Sequence, residues 1–533
     1  MFSNKTTFDY TTKIWSGAEK KTDIPEKWSC LGEAIFENMK NNPENILQIS
    51  DTDGISLTNK EMLTMSIRIA QNLKIADGSI IGIMATSSTY QASVLIASWL
   101  KGIIFHPIST NFDQKTTQHV FGISRPAVIF CDANNYETLM AACDDINLHP
   151  KVYTIKGRVK GVDCLHDLME PTGEEDDFRP KKCNPDDTTV IMGSSGTTGL
   201  PKGVCISNKS LRKMITFSST LPNGAVVFAC CNVDWITGMI FLLFSTLCCV
   251  TKICTEEEFS PQLLRKLIEK YKINVVMMSG SCMSRFIKSG EAELCDCSSL
   301  ILFAVGGGNV SHPMYLKMQE YVSHGVVLNT YGGTEFGGVT VGLNLEKPKN
   351  VGQLNPEVKV RIVDEDGNNL GIGEVGDILV KNNNPWKGYY GNPKETQNMI
   401  DPEGWFHTGD VGLFDEDGDL FLVDRKKEIM KYRGFHYSAQ EVENSILGLG
   451  DIAEVCVFGT RHDEFEDLAT AAIIRKTGSS LTENEIKDHV AKELSQQMWL
   501  HGGVYFVENI PKTASGKYQR SKIRDLCLGN GIK

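Results

Sequence analysis

The chain has 533 residues, of which 41% are hydrophobic and 23% charged, and carries a formal net charge of −12. That length holds several domains' worth of chain around a large core, and the acidic balance supplies no global field for nucleic acid or an anionic membrane surface. The 16 cysteines are scattered, with no CxxC and no HExxH, so reduced thiols are expected rather than a disulfide framework or a cysteine metal site.

The N-terminus, Met1-Phe-Ser-Asn-Lys-Thr-Thr-Phe8, lacks the apolar core of a signal peptide, and the end, Gly529-Asn-Gly-Ile-Lys533, is not a Ser-Lys-Leu type peroxisomal address. A cytoplasmic protein is expected. Short apolar runs follow at 80–84, 128–131, 190–192, 226–229, 274–278, 300–304 and 326–328, separated by stretches such as 90–100 and 260–271 with helical spacing of apolar residues. This rhythm predicts parallel strands joined by crossover helices, an α/β layering.

The run Ile191-Met-Gly-Ser-Ser-Gly-Thr-Thr-Gly-Leu-Pro-Lys-Gly203 places glycines at 193, 196 and 199 among hydroxyls, with one lysine. Glycine lets the backbone turn tightly and approach a polyphosphate, so Ser194, Ser195, Gly196, Thr197, Thr198, Gly199 and Lys202 form a candidate phosphate cradle. No glycine-lysine pair followed by Ser or Thr occurs here, which excludes the ordinary P-loop pattern. Residues 235–251 carry no charge over 17 positions. Asp234 and Lys252 bracket the run, and Gly238 and Ser245 interrupt it, so it is expected to be a core helix and not a membrane span.

Beyond residue 342 the texture changes to short strands with Asp-Gly turns, as at Asp366-Gly367 and Asp417-Gly418, predicting a small antiparallel β region up to about residue 422. Within it, Gly371-Ile-Gly-Glu-Val-Gly376 satisfies GxGxxG, but Asp377-Ile-Leu-Val-Lys381 reads as a strand where that fingerprint demands a helix, so a turn is expected. A charged segment, Arg425-Lys-Lys-Glu428, then opens about a hundred residues of mixed helix and strand. We place a domain boundary there, giving 1–424 and 425–533.

Four further clusters carry chemistry. Tyr331-Gly-Gly-Thr-Glu335 ends in a hydroxyl beside a carboxylate, suited to a hydrated divalent cation or a phosphate oxygen. Gly404-Trp-Phe-His-Thr-Gly-Asp410 and, further on, Asp424-Arg425 offer carboxylates for vicinal ribose hydroxyls. Pro511-Lys-Thr-Ala-Ser-Gly-Lys517 sets a lysine on a Gly/Ser loop, from which its long stem can reach an anionic centre.

In this order and at these separations the motifs resemble the adenylate-forming superfamily of acyl-CoA synthetases, nonribosomal-peptide adenylation domains and insect luciferases, over nearly the whole chain from Trp28 to Lys517. The resemblance implies a large N-terminal domain of layered α/β subdomains and a mobile α+β C-terminal lid. It also implies two half-reactions: a carboxylate attacks the α-phosphate of Mg-ATP, giving an acyl-adenylate and pyrophosphate, and a thiol or oxygen then consumes the adenylate. Carried over to matching positions, 194–202 would hold the β- and γ-phosphates, Thr334 the α-phosphate and Glu335 Mg²⁺. Tyr331 and Gly332 would flank the adenine, and Asp410 and Arg425 would bind the ribose. Lys517 would bridge the attacking carboxylate and the α-phosphate. Lys427 would be the hinge, and Lys431 and Gly434 would face the site in the second half-reaction.

The acid pocket is expected among Trp235, Gly306, Gly307 and Gly333, for a fatty or aryl carboxylic acid. Where beetle luciferases show His-His-Gly-Phe, this chain reads Asp234-Trp-Ile-Thr, nearer the tryptophan of acyl-CoA synthetases. Two readings of the second step stand: an acyl-CoA ligase, or a fly-type luciferase oxidising its adenylate with O₂. No adjacent carrier domain and no obligatory protein partner are visible.

Overall fold

The structure is a computed structural model describing residues 5–19, 30–194, 200–215, 221–308, 310, 312–343, 347–383, 386–426, 428–433, 435–462, 464–512 and 518–529. Two compact units divide the chain: Met1–Val360, Val380–His407 and Asp417–Leu420 form the larger, and Arg361–Leu379, Thr408–Glu416 and Phe421–Lys533 the smaller.

The larger unit contains two sheets. In the first the strand order is Lys202–Ser207, Thr188–Ser194, Ile104–Pro107, Ile80–Met84, Val128–Cys131, Lys151–Thr154 and Asp163–Cys164. All neighbours are parallel except the first pair, a hairpin. Ile80–Met84 is buried at every position because both faces are covered, as a parallel sheet requires. Alternate residues serve different cores: Ile81, Ile83 and Phe130 pack with the buried helix Gln91–Lys101, while Met84, Ile129 and Cys131 pack on the other side.

In the second sheet, parallel strands run in the order Val326–Gly333, Leu302–Gly306, Val275–Ser279, Val226–Ala229, Thr251–Cys254 and Ile46–Ser50. The period-2 alternation again sorts its faces. Val227, Val275 and Leu302 join the core containing helix Ile236–Leu247, and Phe228, Val276 and Phe303 join that of helix Pro261–Tyr271. The latter helix starts where the sequence signals it: the Ser260 side chain accepts from the Leu263 N–H and Pro261 occupies the first turn. The register aligns Ser279 with Gly306 and Gly306 with Thr330, so the strands Val275–Ser279 and Leu302–Gly306 end level with each other and with Thr330, which the strand Val326–Gly333 passes by three residues. In open α/β sheets the carboxyl edge is where ligands bind.

The uncharged run at 235–251 forms the helix Ile236–Leu247, largely buried, and no described helix is long and apolar enough to cross a membrane. The expected β region contains the strands Asn350–Leu354, Lys359–Val363, Gly376–Lys381, Phe406–Phe414 and Leu420–Arg425, together with an unanticipated helix, Pro393–Met399. The GxGxxG segment is a turn, with Gly373 at φ +77°, leading into the strand Gly376–Lys381.

The smaller unit is α+β. Hairpin Ile452–His462/Glu466–Arg475 carries Gly503–Phe506 in parallel, and helices Ala439–Leu447 and Glu483–Glu493 supply Val442, Ile446, Ile486 and Val490 to its core. Helix Arg520–Gly529 is anchored by Arg520, whose guanidinium forks onto Glu443, donates to the Val457 carbonyl at 2.8 Å and reaches Glu428 at 3.3 Å. All 16 cysteines are free thiols.

Candidate active site

The candidate phosphate loop is the tip of the hairpin Thr188–Ser194/Lys202–Ser207, in which Ser194 pairs with Lys202 and Gly193 with Gly203. Ser195, Gly196, Thr197, Thr198 and Gly199 lie outside the described residues. Lys202 leaves the hairpin toward two side chains: its ammonium pairs with Glu395 and lies 5.1 Å from the centre of the Tyr389 ring. Lys202 in turn holds the Glu395 carboxyl below its usual range.

Local chemistry delivers both partners. Asn392 caps the helix Pro393–Met399 by accepting from the Glu395 N–H at 3.2 Å, with Pro393 in the first turn, so Glu395 sits three residues past the cap. The preceding segment lies along the hairpin, with the Tyr390 N–H donating to the Gly203 carbonyl at 2.7 Å and the Cys205 N–H to Gly388 at 3.1 Å. Gly388 is at φ +89°, and a Cβ there would come within 2.5 Å of Thr396, so only glycine fits that turn.

The Tyr389 hydroxyl donates to Glu335 Oε1 at 2.8 Å. Burial, reinforced by the charge of Glu335, pushes the Tyr389 phenol well above its ordinary range, so it stays a proton donor. Glu335 is carried by the tight connection between the strands Val326–Gly333 and Gly337–Gly342. Tyr331 on the first strand is buried, and Gly332 is required because a Cβ would meet the Gly337 carbonyl oxygen at 2.4 Å. The structure thus joins Lys202 and Glu335, two expected site residues, through Tyr389, and pairs Lys202 with Glu395; sequence reasoning missed both Tyr389 and Glu395. The N-cap signature Asn392-Pro393 marks the helix start, but no local signal shows which strand it meets.

Of the residues expected to line the acid, Trp235 precedes the helix Ile236–Leu247 and is 37% exposed. Gly306 ends its strand against Thr330, whose Oγ1 a Cβ would meet at 2.3 Å, whereas nothing lies within 4 Å of a Cβ on Gly307, which has φ +76°. Gly333 faces the Phe336 ring, 2.6 Å from where a Cβ would stand. Burial pushes the Asp234 carboxyl up to about 6.

In the smaller unit, Asp410 and Arg425 occupy the strands Phe406–Phe414 and Leu420–Arg425, with Arg425 Nε 3.0 Å from Asp410 Oδ1. Asp410 is buried, and its N–H donates to Thr408 Oγ1 at 3.1 Å. Lys431 lies on the strand Ile429–Tyr432; its N–H donates to Asp467 at 3.0 Å and its exposed ammonium is 3.8 Å from Glu365. Lys427, Gly434 and Lys517 lie outside the described residues.

The fold is similar to that of the crystal structure of ATP-bound MatB from Rhodopseudomonas palustris, with a TM-score of 0.82 at 22% identity, covering 93% of this chain and 98% of that one. The chain belongs to the AMP-binding enzyme family: residues 35–390 match the AMP-binding enzyme model and 441–517 the AMP-binding enzyme C-terminal domain. It is 27% identical to luciferin 4-monooxygenase of Photinus pyralis over 524 residues, 93% of this chain and 94% of that protein. It is equally 27% identical to a probable 4-coumarate-CoA ligase 1 of Dictyostelium discoideum over 537 residues, 94% of this chain and 96% of that protein.

Proposed function

We propose that the chain adenylates a carboxylic acid with ATP and transfers the acyl group to CoA, as an acyl-CoA ligase of fatty or aryl acids acting in the cytoplasm without an obligatory protein partner. The observation that carries this reading is the link from Lys202 through Tyr389 to Glu335, which holds a phosphate-loop cation and a carboxylate in one constellation. Glu395 partners the Lys202 side chain until a polyphosphate competes for it. Glu335, with one oxygen accepting from Tyr389, and the adjacent Thr334 hydroxyl are hard oxygen donors of the kind Mg²⁺ takes together with phosphate oxygens and water. When bound, that ion would offset charge on the phosphates.

The residues divide the work as follows. Segment 194–202 cradles the β- and γ-phosphates, Thr334 contacts the α-phosphate, and Tyr331 and Gly332 flank the adenine. Asp410, held by Arg425, accepts from the ribose hydroxyls. Lys517 stabilises charge as the acid's carboxylate oxygen attacks the α-phosphorus and pyrophosphate leaves. Lys427 acts as hinge, and the face bearing Lys431 and Gly434 serves the attack of the CoA sulfur on the adenylate carbonyl, with AMP leaving. Trp235, Gly306, Gly307 and Gly333 line the acid.

A second reading, oxidation of the adenylate by O₂ with light emission, is favoured by the luciferin 4-monooxygenase relative, which aligns along 93% of the chain. The deciding experiment measures ATP-dependent pyrophosphate release over a panel of fatty and aryl acids, with and without CoA, while photons are counted. Acyl-CoA formed in the dark establishes the ligase; light without a CoA requirement establishes the luciferase; no pyrophosphate with any acid overturns both. Lys517→Ala should slow pyrophosphate release by orders of magnitude while sparing reaction of supplied acyl-adenylate; equal losses would refute the lysine's role.

A further inference from the structure

Residues 85–89 leave the carboxyl end of the strand Ile80–Met84 in the first sheet and are held by side chains from both sheets. On their own side, the Thr86 N–H and Oγ1 both donate to Asp132 Oδ2 at 2.8 Å, just past the end of the neighbouring strand Val128–Cys131. From the second sheet, Gln48 Nε2 donates to the Thr89 carbonyl at 3.0 Å, and Thr89 Oγ1 donates to Asp53 Oδ2 at 2.5 Å. A further tie from that sheet is Asn232, three residues past the strand Val226–Ala229, whose Nδ2 donates to the Ala85 carbonyl at 2.7 Å. Held at both ends and between them, the segment is a fixed abutment for whatever leans on it.

The turn that carries Trp235 leans on it through Asn232. Asn232 Oδ1 accepts from the Val233 N–H at 2.8 Å, so the amide has one orientation, oxygen toward its own chain and nitrogen toward Ala85. The Asn232 carbonyl accepts from the Trp235 N–H at 3.1 Å, closing the turn that leads into the helix Ile236–Leu247. The start of that helix sits on the same peptide, since a Cβ on Gly238 would stand 2.2 Å from the Asn232 carbonyl oxygen. Among the described residues the Trp235 indole has no hydrogen bond and no aromatic partner, so the turn sets its place. Backbone satisfaction does not require the tie to Ala85. Gln91 Nε2 already donates to that buried carbonyl at 2.8 Å, and the acceptor keeps a partner without Asn232. What Asn232 adds is position.

We propose that Asn232 is a positioning residue for acid selection: by tying the turn 232–235 to the carboxyl end of the first sheet, it fixes where the Trp235 ring stands against the acid. The inference rests on the reading above in which Trp235 lines the acid. It assigns to a residue that touches neither acid nor nucleotide a part in choosing the acid, exerted through Trp235 alone. Asparagine suits the task because one side chain supplies the donor for Ala85 and the acceptor for Val233 together.

The test compares wild type, Asn232→Asp, Trp235→Ala and the double variant by pyrophosphate release over fatty acids of increasing length and an aryl acid. Asn232→Asp keeps the shape and the bond from Val233 but sets an acceptor against the Ala85 carbonyl, so the tie opens. It should shift the ratio of kcat/KM between bulky and small acids by about 10-fold, the scale on which a pocket senses one methylene, in the same direction as Trp235→Ala. KM for ATP should stay within about 2-fold, as for an independent site. The double variant should show the acid profile of Trp235→Ala alone, because Asn232 acts only through that ring. Additive shifts, an unchanged profile in Asn232→Asp, or an equal loss for every acid would overturn the proposal. If Trp235→Ala leaves the acid profile unchanged, or wild type releases no pyrophosphate with any acid, the reading beneath the proposal fails instead. Amide hydrogen exchange then decides the positioning step by itself: exchange at Trp235 should speed by about 10-fold in Asn232→Asp, and wild-type exchange there would overturn the tie.

Discussion

Replacing Tyr389 by Phe removes one oxygen from the constellation and nothing else. The ring remains in place, so its contact with the Lys202 ammonium, 5.1 Å from the ring centre, is retained, while the 2.8 Å hydrogen bond to Glu335 is lost. A hydrogen bond to a charged acceptor contributes about 1.5–3 kcal/mol, and Glu335 is half-buried, so the lower end of that range applies. At 1.36 kcal/mol per factor of ten, kcat/KM for Mg-ATP in acid-dependent pyrophosphate release should fall about 10-fold. Raising the Mg²⁺ concentration should restore part of the loss, because Tyr389 acts by orienting the carboxylate assigned to the ion. Tyr389→Leu removes ring and hydroxyl together and should lose more. Wild-type kinetics in Tyr389→Phe, or a loss indifferent to Mg²⁺, would refute the coupling of Tyr389 to Glu335.

Lys202→Met should raise KM for ATP about 10-fold with little effect on KM for the acid, whereas Glu395→Gln, which relaxes competition for the same ammonium, should change KM for ATP by no more than about 5-fold, and downward; titrations of initial rate against ATP check both. For Asp234 burial raises the carboxyl from its ordinary 3.8 to about 6, so the folded state holds the proton more tightly. Stability is therefore full below about pH 4, falls as pH rises toward 6, and stays lower above, by about 3 kcal/mol at most. Asp234→Asn should consequently gain more melting temperature over wild type at pH 8 than at pH 4, and an equal gain at both would refute the assignment. Arg520→Leu leaves the buried Glu443 carboxylate unpaired and should destabilise the smaller unit by about 3–5 kcal/mol in urea unfolding, with Glu443→Gln/Arg520→Leu recovering part of it.

Much of the fold was legible because its signals are local. The apolar runs at Ile80–Met84, Val128–Cys131 and Val226–Ala229 are strands, and the helical spacing before residues 100 and 271 marks the helices Gln91–Lys101 and Pro261–Tyr271. The strand after Gly376 rejects the dinucleotide fingerprint by its own composition. The order and spacing of the glycine-rich loop, Thr334-Glu335, Asp410 and Arg425 identify the family because each motif reads without reference to its neighbours in space.

What the residues could not reveal locally is which of them meet. Glu395 is 193 positions from Lys202, and Tyr389 is 54 from Glu335, yet these four side chains form the constellation. Lys252 likewise reads as the charged boundary of an apolar run, and only the pairing of its strand between Val227 and Gln48 places it inside a sheet. The sequence by itself determined element type, the family and the chemistry each motif can offer, since periodicity, capping and donor identity are properties of a few adjacent residues. The tertiary structure alone decided which charges are paired and which are buried, because burial and partnership arise from strand register and long-range closure, and those set the free energy of every ionised group.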